Sequence, residues 1–368
     1  MNPSVTAEAP DRLDFLGGVA DYSGSLALEI PIRASTRVRI SETRSRRVIV
    51  SSLGHGKCSA DLGPLLAAAD PAAVRAYLNS AAAPHWSRYV LGCLWMLSQA
   101  KSWRPLRGLR FQITSRTHES QGVSSSAALE VSTLRALGRF ARVQWSGTEL
   151  ARLAQAAENQ IVGAPCGLMD QLAVEHGRHG SLIPILCRPD QVRKPILLPA
   201  GPAIVGWPSG VQHAVSGSPY AIARTATFMG KRIFERKLGR RFDYAAWISP
   251  AAFRRNPIPE TISGHTFLVR YRNTSDPLSR VDRRRSYRVR SALQFPIEEN
   301  HRCELAELLL RDRRAGGVYG TRTSGGSGGT VVILLQLRTL PKIRALARSA
   351  EFRHTSSSLI HWTPAQGP

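Results

Sequence analysis

Acidic residues are scarce in this chain of 368 residues: 26 Asp and Glu stand against 50 Lys and Arg, for a formal net charge of +24. Lysine is scarcer still. There are six (Lys57, Lys101, Lys194, Lys231, Lys237 and Lys342), so nearly all of the positive charge is arginine. The five cysteines, Cys58, Cys93, Cys166, Cys187 and Cys303, contain no C-x-x-C pair and are odd in number. That argues against a disulfide scaffold or a zinc ribbon and fits a reduced cytoplasm. No run of about 18 apolar residues exists, as a membrane-spanning helix requires. The best candidate, 89–100, is short and holds Ser98 and Gln99. No secretion signal is visible, because Glu8, Asp11, Arg12 and Asp14 interrupt the start.

What is present suits a globular chain. A hydrophobic fraction of 43% excludes a disordered polymer, and the length allows two domains with a sizeable core. Between Lys231 and Arg290 there are 16 basic and 5 acidic residues. Such a run reads either as a polyanion surface or as an arginine-biased ordinary surface. The same basic field would favour the approach of a phosphate-rich small ligand.

The pattern predicts a strand, a glycine turn and a strand over 12–32, then strand character over 37–51. Two helices broken near Pro84 are expected over 65–99, a strand over 109–114, and helices over 127–140 and 148–160. Further strands are expected at 182–186, 195–198, 203–207 and 330–337, with a helix at 220–238. A soft boundary near 199–202 divides the chain into domains 1–200 and 201–368. The mixture is α+β, without regular βαβ alternation.

Three segments carry chemistry. In the first, Gly122, Val123, Ser124, Ser125 and Ser126 precede a helix. N–H groups at a helix start and the helix dipole favour phosphate, and a serine hydroxyl can ligate Mg²⁺. The bland alternative is a serine N-cap. In the second, Gly163-Ala-Pro-Cys-Gly-Leu-Met-Asp170-Gln171 follows a helix carrying Glu158. The two acids could serve as metal ligand and general base, or as a solvated side chain and a helix cap. The third is the glycine cluster 324–330, a common kind of turn when taken alone.

Read together, these segments resemble a known family. The stretch from Arg12 to Gly24, R-L-D-F-L-G-G-V-A-D-Y-S-G, resembles the galactokinase signature R-V-N-L-I-G-E-H-T-D-Y-N-G. Gln121 to Ala128 resembles the second motif of the galactokinase, homoserine kinase, mevalonate kinase and phosphomevalonate kinase (GHMP) superfamily. Gly163 to Gln171 resembles G-x-P-C-G-I-M-D-Q, and Val211 to Tyr220 resembles the substrate-side segment V-R-H-S-x-x-x-S-x-Y. The third family motif is echoed in 320–329. The motifs occur in family order. Within the superfamily the chain is most similar to the L-arabinokinase-like branch, through Pro10 to Asp14, Glu158 to Gly167, Arg224 to Gly230 and Pro296 to Asn300.

The resemblance implies an α+β, two-domain GHMP kinase fold, with a ribosomal protein S5 domain 2-like N-terminal domain and a ferredoxin-like C-terminal domain. It also implies ATP-dependent phosphorylation of a monosaccharide at its anomeric hydroxyl, with Mg²⁺. By position, Asp170 would take or orient the hydroxyl proton, and Arg12 would neutralise charge developing during transfer. Asp21, Gly18 and Tyr220 would face the sugar. Gly122, Val123, Ser124, Ser125, Ser126 and Ala127 would cradle ATP. Glu158, with one serine of Ser124 to Ser126, Ser125 being the candidate named, would hold the metal.

The chain departs from the pattern in places. Gly18 and Val19 replace the galactokinase Glu and His, which favours L-arabinose, a sugar without the hydroxymethyl arm. His118 to Gly122 replaces P-x-G-x-G, the glycine cluster is short, and about fifteen residues between Asn300 and Gly317 stand where the family carries several helices. The expected function is therefore an arabinose 1-kinase. A galactokinase, or an impaired homologue that binds nucleotide or sugar, is the alternative, and an arginine-rich nucleic-acid-binding protein ranks third.

Overall fold

The computed structural model describes residues 4–116, 121–198, 202–208, 219–311, 320–324, 330–336 and 360–362. The chain forms two compact units interleaved in sequence. The first comprises 1–12, 31–119 and 123–177; the second comprises 13–30, 120–122 and 178–368. The mixture of sheet and helix is α+β.

The first unit holds most of β1 (Ser4–Leu16) and of β2 (Leu26–Thr43), with β3 (Arg47–Ser52) and β4 (Gly56–Asp61). It continues with α1 (Leu62–Ala67), α2 (Pro71–Ser80), α3 (His85–Lys101) and β5 (Gly108–Ser115), then α4 (Ser125–Ala141), α5 (Gly147–Ala156) and α6 (Met169–His176). Its strands run in the order β4-β3-β5-β2. β3 and β5 are parallel, and the other neighbouring pairs are antiparallel. The apolar run at 90–97 lies inside α3, where it is core: Val90, Leu91, Cys93, Leu94 and Leu97 are fully buried. Among the described residues no helix is long and apolar enough to cross a membrane.

Two helices are expected over 65–99, and three form there. Asp70 and Pro71 make the extra break. The Asp70 side chain accepts from Ala73 N at 2.8 Å and Pro71 occupies the first turn of α2, a start signal that ends the preceding helix. α5 opens on the capping-box sequence Ser146-Gly-Thr-Glu149, with the Ser146 hydroxyl accepting from Glu149 N at 3.2 Å. α5 then runs directly into a π-helical turn, Ala157–Val162, that ends at Gly163. Gly163 has φ +88, a conformation that costs little only without a Cβ.

The second unit contains the first part of β2, paired antiparallel with β6 (Ser181–Leu186). The short strands β7 (Gln191–Val192) and β8 (Ile196–Leu197) flank β6. It continues with β9 (Pro202–Pro208), α7 (Pro219–Leu238), α8 (Pro250–Arg255), β10 (Ile262–Ser263), α9 (Gly264–Tyr271), β11 (Ser286–Tyr287) and α10 (Val289–Arg311). β12 (Gly320–Ser324), β13 (Thr330–Gln336) and β14 (Ile360–Trp362) join β9 in a sheet ordered β12-β13-β9-β14. A core of Met229, Phe234, Phe253, Phe267, Leu293 and Ile297 gathers around α7 and α10.

Candidate active site

In the first unit, residues from β1, α4, the π-helical turn and α6 meet in one buried polar cluster. Arg12, on β1, reaches Asp170 at the start of α6. Its Nε lies 3.0 Å and its Nη2 2.5 Å from Asp170 Oδ1. Arg12 is buried, and the Asp170 side chain is partly open, at 27% exposure. Arg12 N also donates to Val123 O at 3.1 Å, which ties β1 to the segment before α4. That segment carries a left-handed Ser124 (φ 60, ψ 44), sparsely populated for a residue with a side chain and worth a functional look. Ser124 Oγ is buried without a hydrogen-bond partner among the described residues. Residues 118–120 of the expected phosphate loop lie outside the described residues.

Glu158 sits on the π-helical turn and is buried. Cys166 Sγ donates to its Oε2 at 3.3 Å, and Gln171 Nε2 donates to the same oxygen at 2.8 Å. Gln171 Nε2 also donates to Glu130 Oε2 at 3.1 Å, so one amide bridges two buried carboxyl groups. Asn159 pins the intervening loop: its Oδ1 accepts from Cys166 N at 2.8 Å and its Nδ2 donates to Cys166 O at 3.3 Å. The serine that hydrogen-bonds Glu158 is Ser126.

Burial pushes the Glu158 carboxyl up to about 7. The nearby charge of Asp170 adds to this, while hydrogen bonds from Cys166, Ser126 and Gln171 work against it. Burial, and then the charge of Glu158, raise Glu130 well above the ordinary carboxylate range. The cluster thus holds a proton easily at neutral pH. An acid whose folded-state pKa lies above its unfolded value binds extra protons when folded. Stability from this source is present below about 4.5 and is lost as pH rises to about 7. We expect Glu158→Gln to flatten that part of the profile in metal-free protein, by at most about 1.4 kcal/mol per pH unit. Urea unfolding of both proteins across pH 5 to 8 checks this, and parallel profiles would refute it.

The structure brings Arg12, Asp170, Glu158 and Ser126 into one cluster. Glu130 and Gln171 were missed as functional candidates. The available signal was Glu130 lying on the same helical face as buried Ala127, Val131 and Leu134.

Gly18, Asp21 and Tyr220 belong to the second unit. The turn 17–24 is fastened to α10: Gly17 N donates to Glu299 Oε1 at 3.1 Å, and Leu26 N to Asn300 Oδ1 at 2.9 Å. Asp21 begins a single 3₁₀ turn and is buried. The next residue, Tyr22, packs edge-on against Tyr220 with ring centroids 5.8 Å apart, and the Arg224 guanidinium carbon lies 5.2 Å from the Tyr22 ring centroid. Arg224 forks onto Asp276 at 2.8 and 2.9 Å. Gly18 N donates to Asp14 Oδ1 at 3.1 Å, and a Cβ at Gly18 would overlap Asp14 Oδ2. Val19 follows with φ 64, strained for a β-branched residue. The motif 211–220 lies outside the described residues apart from Pro219 and Tyr220, as do 325–329 of the glycine cluster.

Residues 88–178 match the GHMP kinases N terminal domain family. This part of the chain is a GHMP kinase N-terminal domain. The chain is 27% identical over 366 residues to an L-arabinokinase from Arabidopsis thaliana, covering 83% of this chain and 35% of that protein. It is 28% identical over 356 residues to a galactokinase from Bos taurus, covering 93% of this chain and 86% of that one. The chain thus spans about a third of the arabinokinase and most of the galactokinase. Its fold is similar to that of the Lactococcus lactis galactokinase solved with galactose, with TM-score 0.69 at 17% identity, over 93% of this chain and 88% of that one. The fold is therefore the α+β fold of GHMP kinases. The homologues are GHMP-type sugar kinases, a phosphotransferase class.

Proposed function

We propose that this chain is an ATP-dependent sugar 1-kinase that transfers the γ-phosphate to the anomeric hydroxyl of L-arabinose. The observation that carries the reading is Asp170, partly open and gripped by buried Arg12. Both side-chain bonds from Arg12 to Asp170 end on Oδ1, so Oδ2 is the oxygen that would meet a hydroxyl. Asp170 orients that hydroxyl and takes its proton as the oxygen attacks phosphorus in line. Arg12 keeps the carboxylate in place and offers positive charge to the transferring phosphoryl group. Gly122, Val123, Ser124, Ser125, Ser126 and Ala127 supply small residues and the start of α4 for the phosphates. In the second unit, Asp21 and Tyr220 serve the sugar.

Among the described residues no group of three or more His, Cys, Asp or Glu side chains is arranged to hold a metal ion. This donor set suits Mg²⁺, which is usually held by one or two carboxylates together with substrate phosphates and waters. The unpartnered Ser124 Oγ and the Glu158 carboxylate fit that role, with Ser125 in the same segment. When bound, the ion neutralises phosphate charge. Glu158→Gln replaces a carboxylate with a poorer ligand and is expected to raise the Mg²⁺ requirement. An unchanged Mg²⁺ titration would remove Glu158 from the metal site.

Gly18 supports a pentose. The galactokinase pattern has an acid there, and here Asp14 fills the space where that side chain would begin. Gly18→Glu and Gly18→Ala are each expected to force Asp14 aside, at about 1–3 kcal/mol, and to lower kcat/KM for both sugars together. Kinetics on L-arabinose and D-galactose, beside a thermal melt, test this. A fully stable Gly18→Glu protein with a shifted sugar ratio would disprove the packing account.

The deciding assay offers L-arabinose, D-galactose and D-glucuronate to the purified protein with ATP. Preference for arabinose supports the proposal. Preference for galactose makes the chain a galactokinase. A folded protein that binds ATP but phosphorylates none of the three is an impaired homologue.

A further inference from the structure

A cavity of about 740 Å³ lies wholly within the second unit, between the later turns of α7, the 241–244 segment and the 271–277 turn. Its size is within the range of small-molecule sites, and it shares no lining residue with the Arg12, Glu158 and Asp170 cluster. Its walls are chemically divided. Phe228, Phe242, Tyr244 and Tyr271 offer aromatic surface, and Arg232, Arg241 and Arg272 offer positive charge.

The acids in the lining do not neutralise those arginines. Glu235 Oε1 accepts from Lys231 Nζ at 2.8 Å and from Phe242 N at 2.9 Å. Both Asp276 oxygens are taken by Arg224, and Ser279 Oγ donates to Asp276 Oδ2 at 2.6 Å. Asp243 is the remaining carboxylate, set against three guanidinium groups. Arg232 Nε is buried with no hydrogen-bond partner among the described residues, an arrangement that a buried donor tolerates poorly unless an acceptor arrives. Arg272 is held at φ 66, ψ −74 in a tight turn closed by Asn273 N donating to Tyr271 O at 2.9 Å. That positive-φ γ-turn geometry is strained for a residue with a side chain, and such strain tends to collect at ligand clamps.

We propose that this cavity binds a small phosphorylated ring compound, a sugar phosphate or a nucleoside monophosphate. The phosphate lies against Arg232 and Arg272, and the ring lies on the Phe242 and Tyr271 side. Guanidinium groups grip phosphate through paired, charge-assisted hydrogen bonds, and aromatic faces accept either a sugar face or a base. The inference does not rest on the kinase reading. Tyr22 forms part of the cavity wall and adjoins Asp21 in sequence, so a bound ligand would bear directly on the turn that carries Asp21.

Isothermal titration of the full chain with glucose 1-phosphate, with UMP and with inorganic phosphate tests the proposal and separates the two sources. The expected result is that at least one ring compound binds about tenfold or more tightly than phosphate alone. That affinity should fall about tenfold in Arg232→Gln/Arg272→Ser, as expected for losing a charge-assisted contact, and should persist in Asp170→Asn. Arg241→Ala, at an exposed rim position, should weaken binding about threefold and gives a second reading if the double variant does not fold. No binding by either ring compound overturns the proposal. So does phosphate binding as tightly as both, or affinity unchanged in Arg241→Ala and in any folded double variant.

Discussion

Asp170→Asn is expected to lower the transfer rate by about 10²–10⁴-fold while ATP binding stays nearly intact. The amide keeps the size of the side chain and can still accept from Arg12 through its oxygen, so the buried arginine does not lose its partner outright. It cannot take a hydroxyl proton. Asp170 also lies close enough to Glu158 for its charge to raise that acid. Neutralising Asp170 should therefore lower the Glu158 pKa and, if anything, favour its ionised form. A general metal-binding defect is thus not the expected outcome, and loss of rate with normal nucleotide affinity separates proton transfer from metal binding. Single-turnover transfer and nucleotide titration on the same preparation check it. Retained activity in a pure, folded Asp170→Asn protein would exclude Asp170 as the acceptor.

Segments with strong local signals were readable from sequence, and the structure shows why. The strand expected over 109–114 forms at Gly108–Ser115, and that over 182–186 forms at Ser181–Leu186. Both are short apolar runs bounded by turn residues. The helix expected over 220–238 spans Pro219–Leu238. The fate of Glu158 was not legible. A glutamate late in an amphipathic helix reads as solvated, whereas in the structure Glu158 lies buried on the π-helical turn beside Cys166. Glu130 shows the same limit. Charge in an alanine-rich helix suggests a surface, although its spacing from Ala127 and Leu134 placed it on the apolar stripe. Arg12, Glu158 and Asp170, each singled out from a different motif, lie in one cluster of the first unit. The partner of Arg224 had no sequence signal at all: Asp276 lies 52 residues away.

That pair carries the second large expected effect. Arg224 and Asp276 are almost completely buried, with side chains 8% and 5% exposed. Burial alone would raise the Asp276 carboxyl, yet the Arg224 fork and the Ser279 hydroxyl hold it below its ordinary value. Removing one partner leaves the other charged and desolvated, so Asp276→Ala or Arg224→Met should destabilise the protein by about 3–5 kcal/mol. The double variant Arg224→Met/Asp276→Leu should recover much of this, because an apolar pair leaves no orphaned charge behind. Function should not recover with stability. The Arg224 guanidinium stacks on Tyr22 and on Phe228 at 5.2 and 5.8 Å, and Tyr22 OH lies 3.5 Å from Thr227 Oγ1. These contacts hold the turn that presents Asp21. In the repacked double variant the turn should loosen, and KM for the sugar should rise several-fold with little change in KM for ATP. Urea unfolding of the singles and the double, with KM for both substrates, tests the two parts separately. A double variant no more stable than the singles would discredit the buried-charge argument, and a restored sugar KM would show that the guanidinium does not position Asp21.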